Sequence, residues 1–138
     1  LTCGDGWICK TVNDSGYLSF GMGFTGTKEL LEWVRTTFHS LVPNMDAKKL
    51  SDNKSPNCRD YCVWGATFYW LAKMFLSLDI PRLERKWDLA RMFVERVEAG
   101  NVSTKMLTQI KKKRPTDAIL AEFGILPQLS PQISPPPV

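Results

Sequence analysis

Apolar residues along this chain recur at two different periods, and the change of period separates a short strand-forming start from a long helical remainder. Trp7-Ile8-Cys9-Lys10-Thr11-Val12 and Tyr17-Leu18-Ser19-Phe20 are β-prone runs on either side of Asn13-Asp14-Ser15-Gly16. Asn, Asp and Gly tolerate the positive φ of tight turns, so these pieces predict a hairpin. Gly21, Gly23 and Gly26 follow immediately and argue against a long second strand.

From Thr27 the period lengthens. Leu30, Leu31, Val34, Phe38 and Leu41 stand at helical spacing, with Thr27 as a cap and Pro43 as a stop. Residues 43 to 57 are polar and turn-rich, a surface connection with room for one helical turn around Ala47 to Leu50. Between Asn57 and Leu78, Tyr61, Trp64, Phe68, Leu71 and Phe75 share one side of a helix, while Cys62, Ala66, Tyr69 and Trp70 keep the other side apolar. A helix apolar nearly all round belongs at the centre of a fold.

Asp79 caps a third helix with Pro81 in its first turn; its stripe is Leu83, Trp87, Ala90, Val94 and Val97, and Gly100 ends it. A shorter helix starts at Ser103 or Thr104 and carries Met106, Leu107 and Ile110. Thr116 caps a last helix with Ile119, Leu120 and Phe123 inward and Gly124 at its close. Five Pro between residues 127 and 138 cannot continue a helix, so this stretch is expected to be extended. The expected fold is mainly α: an N-terminal β-hairpin packed on a compact bundle of about five helices over residues 1–126, followed by a Pro-rich tail or linker over 127–138.

Composition supports one core. The chain has 138 residues, 43% hydrophobic, with five Trp and seven Phe. The longest apolar stretch, Tyr61 to Leu78, contains Lys73 and falls short of a charge-free membrane span. No signal-peptide pattern precedes the fold and the first residue is Leu1, which reads as a processed product or a segment of a larger chain. Charge is local: residues 82–114 carry ten Lys or Arg against four Asp or Glu, and the rest carries eight against ten.

That cluster is the most suggestive chemistry. Lys105, Lys111, Lys112, Lys113 and Arg114 gather along one short helix, and Arg85 and Lys86 lie on the helix before it. Such a face can contact phosphates without reading sequence or sit on anionic lipid headgroups. It can equally complement a helix dipole and keep the surface soluble. Cys3, Cys9, Cys58 and Cys62 form two pairs whose spacing lacks the short knuckle on both sides of a zinc site. Paired disulfides suit a secreted protein, as do Asn-x-Ser sequons at Asn13, Asn53 and Asn101; reduced, partly buried thiols are the third reading.

Catalytic patterns are missing. His39 is the one histidine and sits at a helix C-terminus, where its partial charge is favourable. Gly21-Met22-Gly23-Phe24-Thr25-Gly26 shows the letters of a phosphate loop without a surrounding βαβ unit. Glu29 with Glu32, and Glu84 with Asp88, fall on solvated faces.

The expectation is therefore a non-enzymatic interaction or assembly module of a larger protein or polyprotein, without cofactor, whose basic face meets nucleic acid or an anionic lipid surface. Other protein subunits, or copies of itself, would be further partners. A compact helical domain, a basic surface and a Pro-rich exit share the general layout of a viral matrix or nucleocapsid-associated module. An intracellular setting is favoured. The alternative is a secreted, disulfide-stabilised helical protein that binds a receptor or a small apolar ligand; an enzyme with an unrecognised site is the third.

Overall fold

The computed structural model describes residues 5–12, 18–46, 49–78 and 84–125. Strands β1 (Asp5–Val12) and β2 (Leu18–Gly26) form the expected hairpin, and the turn predicted between them lies outside the described residues. Helix α1 (Lys28–Leu41) starts where the cap predicts, with the Thr27 hydroxyl accepting from the Leu30 amide at 3.2 Å. A short β3 (Ser51–Asp52) and then β4 (Arg59–Trp64) complete an antiparallel sheet in the order β1-β2-β4-β3.

An all-helical bundle with an appended hairpin is thereby corrected to an α/β fold built on a four-stranded antiparallel sheet. Residues 59–64 carry the error. Tyr61 and Val63 point into the core while Asp60, Cys62 and Trp64 point away, so the segment has period two. On the sequence, Tyr61 and Trp64 also satisfy a helical stripe, and a run this short fits both periods. Pairing with β2, from Gly21 opposite Trp64 to Gly26 opposite Arg59, decides it. The turn expected around Ala47 to Leu50 is not helical at Lys49 and Leu50, and Ala47 and Lys48 lie outside the described residues.

The β-to-α change happens at one residue. Gly65 adopts φ +60°, a left-handed conformation that L side chains rarely take, and α2 (Gly65–Leu76) runs directly from it. Nearly all of α2 is buried, so the central buried helix is present, one strand shorter than expected. Helix α3 (Glu84–Glu98) follows; its expected Asp79 cap, Pro81 and Leu83 lie outside the described residues. Gly100, at φ +76°, terminates it. Helices α4 (Thr104–Lys112) and α5 (Asp117–Glu122) begin at Ser103 and Thr116, whose hydroxyls accept from the Met106 and Ile119 amides.

The core lies between one sheet face and α1, α2 and α3. Phe20 stacks on Phe93 at 4.8 Å between ring centres, and Phe93 in turn on Phe68 at 5.7 Å. Phe38 of α1 reaches Phe24, Tyr61 and Phe75. Helix α4 is tied in by the buried Trp70 indole, whose Nε1 donates to the Ile110 carbonyl at 2.8 Å. Among the described residues the Tyr61 hydroxyl is buried with no hydrogen-bond partner, and burial pushes its pKa up despite the nearby Arg35. No helix among the described residues is long and apolar enough to cross a membrane.

Candidate functional site

Strand alternation gives the sheet a second face, on which Trp7, Ser19, Thr25, Asp60, Cys62 and Trp64 are half-buried or exposed. Two glycines shape it. Gly23 is paired with Trp7 on one side and Cys62 on the other, and a Cβ there would lie 2.4 Å from Trp7 Cζ2 and 3.0 Å from Cys62 Sγ. At Gly21, opposite Trp64, a Cβ would lie 2.5 Å from Trp64 Cε3. Each glycine is thus the floor beneath an indole ring, and the two rings lie along the sheet instead of standing off it.

These glycines were expected to end the second strand. They lie inside it instead, because the bare backbone is what the neighbouring tryptophans pack upon. The phosphate-loop letters of residues 21–26 accordingly belong to a strand, not to a loop.

A third row crosses the same face. Asp5 is in register with Thr25, Thr25 with Asp60, and Asp60 with Ser51. The Thr25 hydroxyl donates to Asp60 Oδ1 at 2.7 Å, and Asn53 Nδ2 donates to the same oxygen at 2.9 Å. Two donors converging on one carboxylate oxygen hold it in place. The face therefore offers aromatic planes, hydroxyls and a fixed anionic acceptor on an antiparallel ribbon, a combination suited to an extended polar partner.

The basic residues singled out in the sequence separate in space. Lys105 and Lys113 line one cleft, together with Arg96. Lys113 is also paired with Asp46 at 3.1 Å, and Arg114 with Asp117 at 2.9 Å. Lys111 and Lys112 are exposed at the end of α4 and do not line that cleft. Arg85 and Lys86 belong to α3, but their side chains lie outside the described residues. The single basic face is therefore a cleft plus a solvated helix end.

Cys58 is disulfide-bonded, Cys62 lies on the strand face, and Cys3 and the Cys9 side chain lie outside the described residues. Among the described residues no group of His, Cys, Asp or Glu converges as metal ligands do. The helical spacing assumed for Cys58 and Cys62 fails because Cys62 is in β4 and Cys58 precedes it. His39 lies in the last turn of α1, as its position implied. Glu32 pairs with Arg35 and Asp88 with Arg91, as solvated carboxylates do.

Sequence reasoning missed Trp7, Thr25, Asp60 and Trp64. The signal available was the strict alternation of Phe20, Met22 and Phe24 with Gly21 and Gly23, which is a strand buried on one side and closely approached on the other.

The molecule is thus an α/β domain whose antiparallel sheet buries one face under helices and presents the other. No protein-family model matches the chain, and no curated protein matches it in sequence. Among solved structures it is similar to the LAGLIDADG meganuclease I-AabMI bound to uncleaved DNA, with a TM-score of 0.52 and 10% identity over 89% of this chain and 46% of that one. It is also similar to the homing endonuclease I-TnaI (TM-score 0.49, 12% identity, 88% and 90% covered) and to the I-LtrWI LAGLIDADG homing endonuclease bound to target DNA (TM-score 0.46, 8% identity, 81% and 39% covered). The first comparison shows a shared fold, and this chain spans less than half the length of that meganuclease.

That fold overturns the expectation of a non-enzymatic assembly module. The viral matrix or nucleocapsid analogy rested on a helical bundle, and the structure has a sheet at its centre. The exclusion of an enzyme rested on finding no catalytic pattern, whereas the architecture is one that a meganuclease uses. The alternative of a secreted helical receptor- or ligand-binding protein loses its helical premise in the same way.

Proposed function

We propose that this chain is a DNA-binding domain of the homing-endonuclease type, and that its partner is duplex DNA docked on the open sheet face. The observation that carries the reading is that face itself: an antiparallel ribbon with glycine-floored Trp7 and Trp64 and the Thr25–Asp60–Asn53 network, in a fold shared with a meganuclease bound to DNA. A two-stranded ribbon fits the major groove, about 12 Å wide, where hydroxyls such as those of Ser19 and Thr25 can reach base edges. Cations at the margins, including Lys54 and the basic residues of α4, would meet the phosphates. Lys105, Lys111, Lys112, Lys113, Arg114, Arg85 and Lys86 remain candidates for that role.

Cleavage is the second part of the proposal. The name LAGLIDADG, read as residues, ends in Leu-Ile-Asp-Ala-Asp-Gly, and residues 1–6 here read Leu-Thr-Cys-Gly-Asp-Gly, sharing the Leu, the second Asp and the Gly. Asp5 opens β1, on the row of Thr25 and Asp60. Metal-assisted phosphodiester hydrolysis requires several hard oxygen ligands around the ion. We place DNA docking in this chain and cleavage in an assembly that brings further oxygen ligands to the Asp5 end of β1.

The direct test is fluorescence anisotropy with a labelled random-sequence duplex at about 50 mM salt, where non-specific binding should fall in roughly the micromolar range or tighter. Trp7→Ala with Trp64→Ala should weaken it about tenfold, equivalent to roughly 1.4 kcal/mol, with an unchanged far-UV spectrum. Asp5→Asn should leave duplex binding in place and remove magnesium-dependent nicking of a cognate duplex. A wild-type chain that ignores duplex DNA at this salt sinks the proposal.

A further inference from the structure

Besides its open face the sheet has an end that is not closed by packing. There the N-terminal end of β2, the β4–α2 junction, the C-terminal end of α3 and helix α4 surround a cleft of about 630 Å³. Its lining includes Arg96, Lys105 and Lys113 and contains no Asp or Glu. Lys113 is partly neutralised by Asp46, but neither Arg96 nor Lys105 makes an ion pair among the described residues. Two uncompensated cations and one compensated one in a half-enclosed space attract an anion more strongly than the same charges spread on an open surface.

The backbone adds to this field. Gly65 and Ala66, at the start of α2, line the cleft, as do Ser103 and Lys105 at the start of α4. Neither helix has an acidic residue in its first turn, and α2 has no side-chain cap at Trp64. In α1 and α5 the corresponding turns hold Glu29 and Asp117. The positive ends of α2 and α4 thus converge on the cleft that the cations line, and no carboxylate satisfies them.

Trp64 belongs to both regions: it lies over Gly21 on the open face and also lines the cleft. The two surfaces are therefore continuous. We infer that the cleft is a phosphate subsite, and that it takes a backbone phosphodiester of the DNA strand as that strand leaves the sheet face past Trp64. This rests on the DNA reading for the source of the phosphate, but the anion site stands on its own residues.

The test compares two charge-matched variants of the whole chain. Arg96→Gln with Lys105→Gln removes the unpaired cations of the cleft; Lys111→Gln with Lys112→Gln removes the same charge from the exposed end of α4. In salt titrations of duplex binding, the slope of log K against log[salt] should fall by about 0.9, the value for one phosphate contact, for the cleft pair, and by clearly less for the control. Lys105→Gln alone, at an exposed position, should lose about half of that effect and guards against misfolding of the double variant.

Equal losses in the two variants would mean bulk charge and overturn the subsite, as would no loss in either. If the wild-type chain binds no duplex, the DNA reading fails, and inorganic phosphate then decides the cleft by itself. Amide resonances of Gly65, Ala66 and Lys105 should shift with phosphate in the wild type and not in the double variant. Unmoved resonances would overturn the anion site as well.

Discussion

The two faces of the sheet are built by the same strands and obey opposite rules. On the packed face Phe20, Met22, Tyr61 and Val63 are buried, and each meets side chains of the same face or of the helices above it. On the open face the strands carry Gly21 and Gly23 at alternate positions, and the tryptophans rest on backbone. One face gains its energy from volume filled by side chains. The other keeps large aromatic planes at the surface by removing side chains beneath them. A large side chain is therefore structural on one face and available for contact on the other.

Substituting within that contrast should produce effects in a definite order. Phe20→Ala opens a cavity against Phe93 and should cost about 3–5 kcal/mol in a denaturant titration. A loss below about 1 kcal/mol would mean that the packed face is looser than its burial indicates. Gly21→Ala places a Cβ 2.5 Å from the Trp64 ring and 2.7 Å from the Val63 carbonyl oxygen, and the backbone atom cannot swing away. It should cost about 1–3 kcal/mol, as overpacking does, and shift tryptophan emission as Trp64 is lifted. Unchanged stability and emission would show that the indole does not rest on this glycine.

Tyr61→Phe runs the other way. It removes a buried hydroxyl with no partner among the described residues, so stability should rise by about 1 kcal/mol, within the penalty of leaving such a group unsatisfied. A loss on this substitution would reveal a hidden partner.

The smallest effect concerns the Lys73–Glu98–Tyr69 cluster on the helical side. Lys73 Nζ reaches Glu98 Oε2 at 2.5 Å and the Tyr69 hydroxyl at 3.3 Å. Burial lowers the Lys73 pKa, but its bonds and charge contacts to Glu98 and Tyr69 outweigh that and raise it. Burial raises Tyr69, and the opposing pull of Lys73 does not cancel it. Both folded-state values exceed the unfolded ones, near 10.5 for Lys73 and 10.0 for Tyr69, so the stabilisation is complete below them and is lost as pH rises through the folded values. Lys73→Met should accordingly flatten the decline of melting temperature above about pH 10. An identical alkaline decline in the variant would remove this cluster from the account.

Most elements were legible where their cause is local. Thr27, Ser103 and Thr116 cap the helices assigned to them, because a hydroxyl and an amide three residues later need nothing from elsewhere. Gly100 and Gly124 end helices through their own positive φ. The candidate site was hardly legible. Trp64 fitted a core stripe, Gly21 and Gly23 looked like strand breakers, and Asp60 looked like an ordinary polar residue before an apolar run. Each acquires its role from a residue on a different strand.

The sequence by itself thus determined the hairpin, the capped starts of α1, α4 and α5, the glycine stops at Gly100 and Gly124, the burial of α2 and the concentration of positive charge between residues 82 and 114. Only the tertiary structure decided that residues 59–64 form a strand, because their partner β2 lies some 40 positions earlier and a run with only four apolar residues, Tyr61 to Trp64, satisfies either period. Only it brought Lys105 and Lys113 to Arg96 and turned Lys111 and Lys112 away. The reason in both cases is physical. Capping and turn chemistry act over a few bonds, whereas strand pairing and the convergence of charges depend on distances that chain position does not contain.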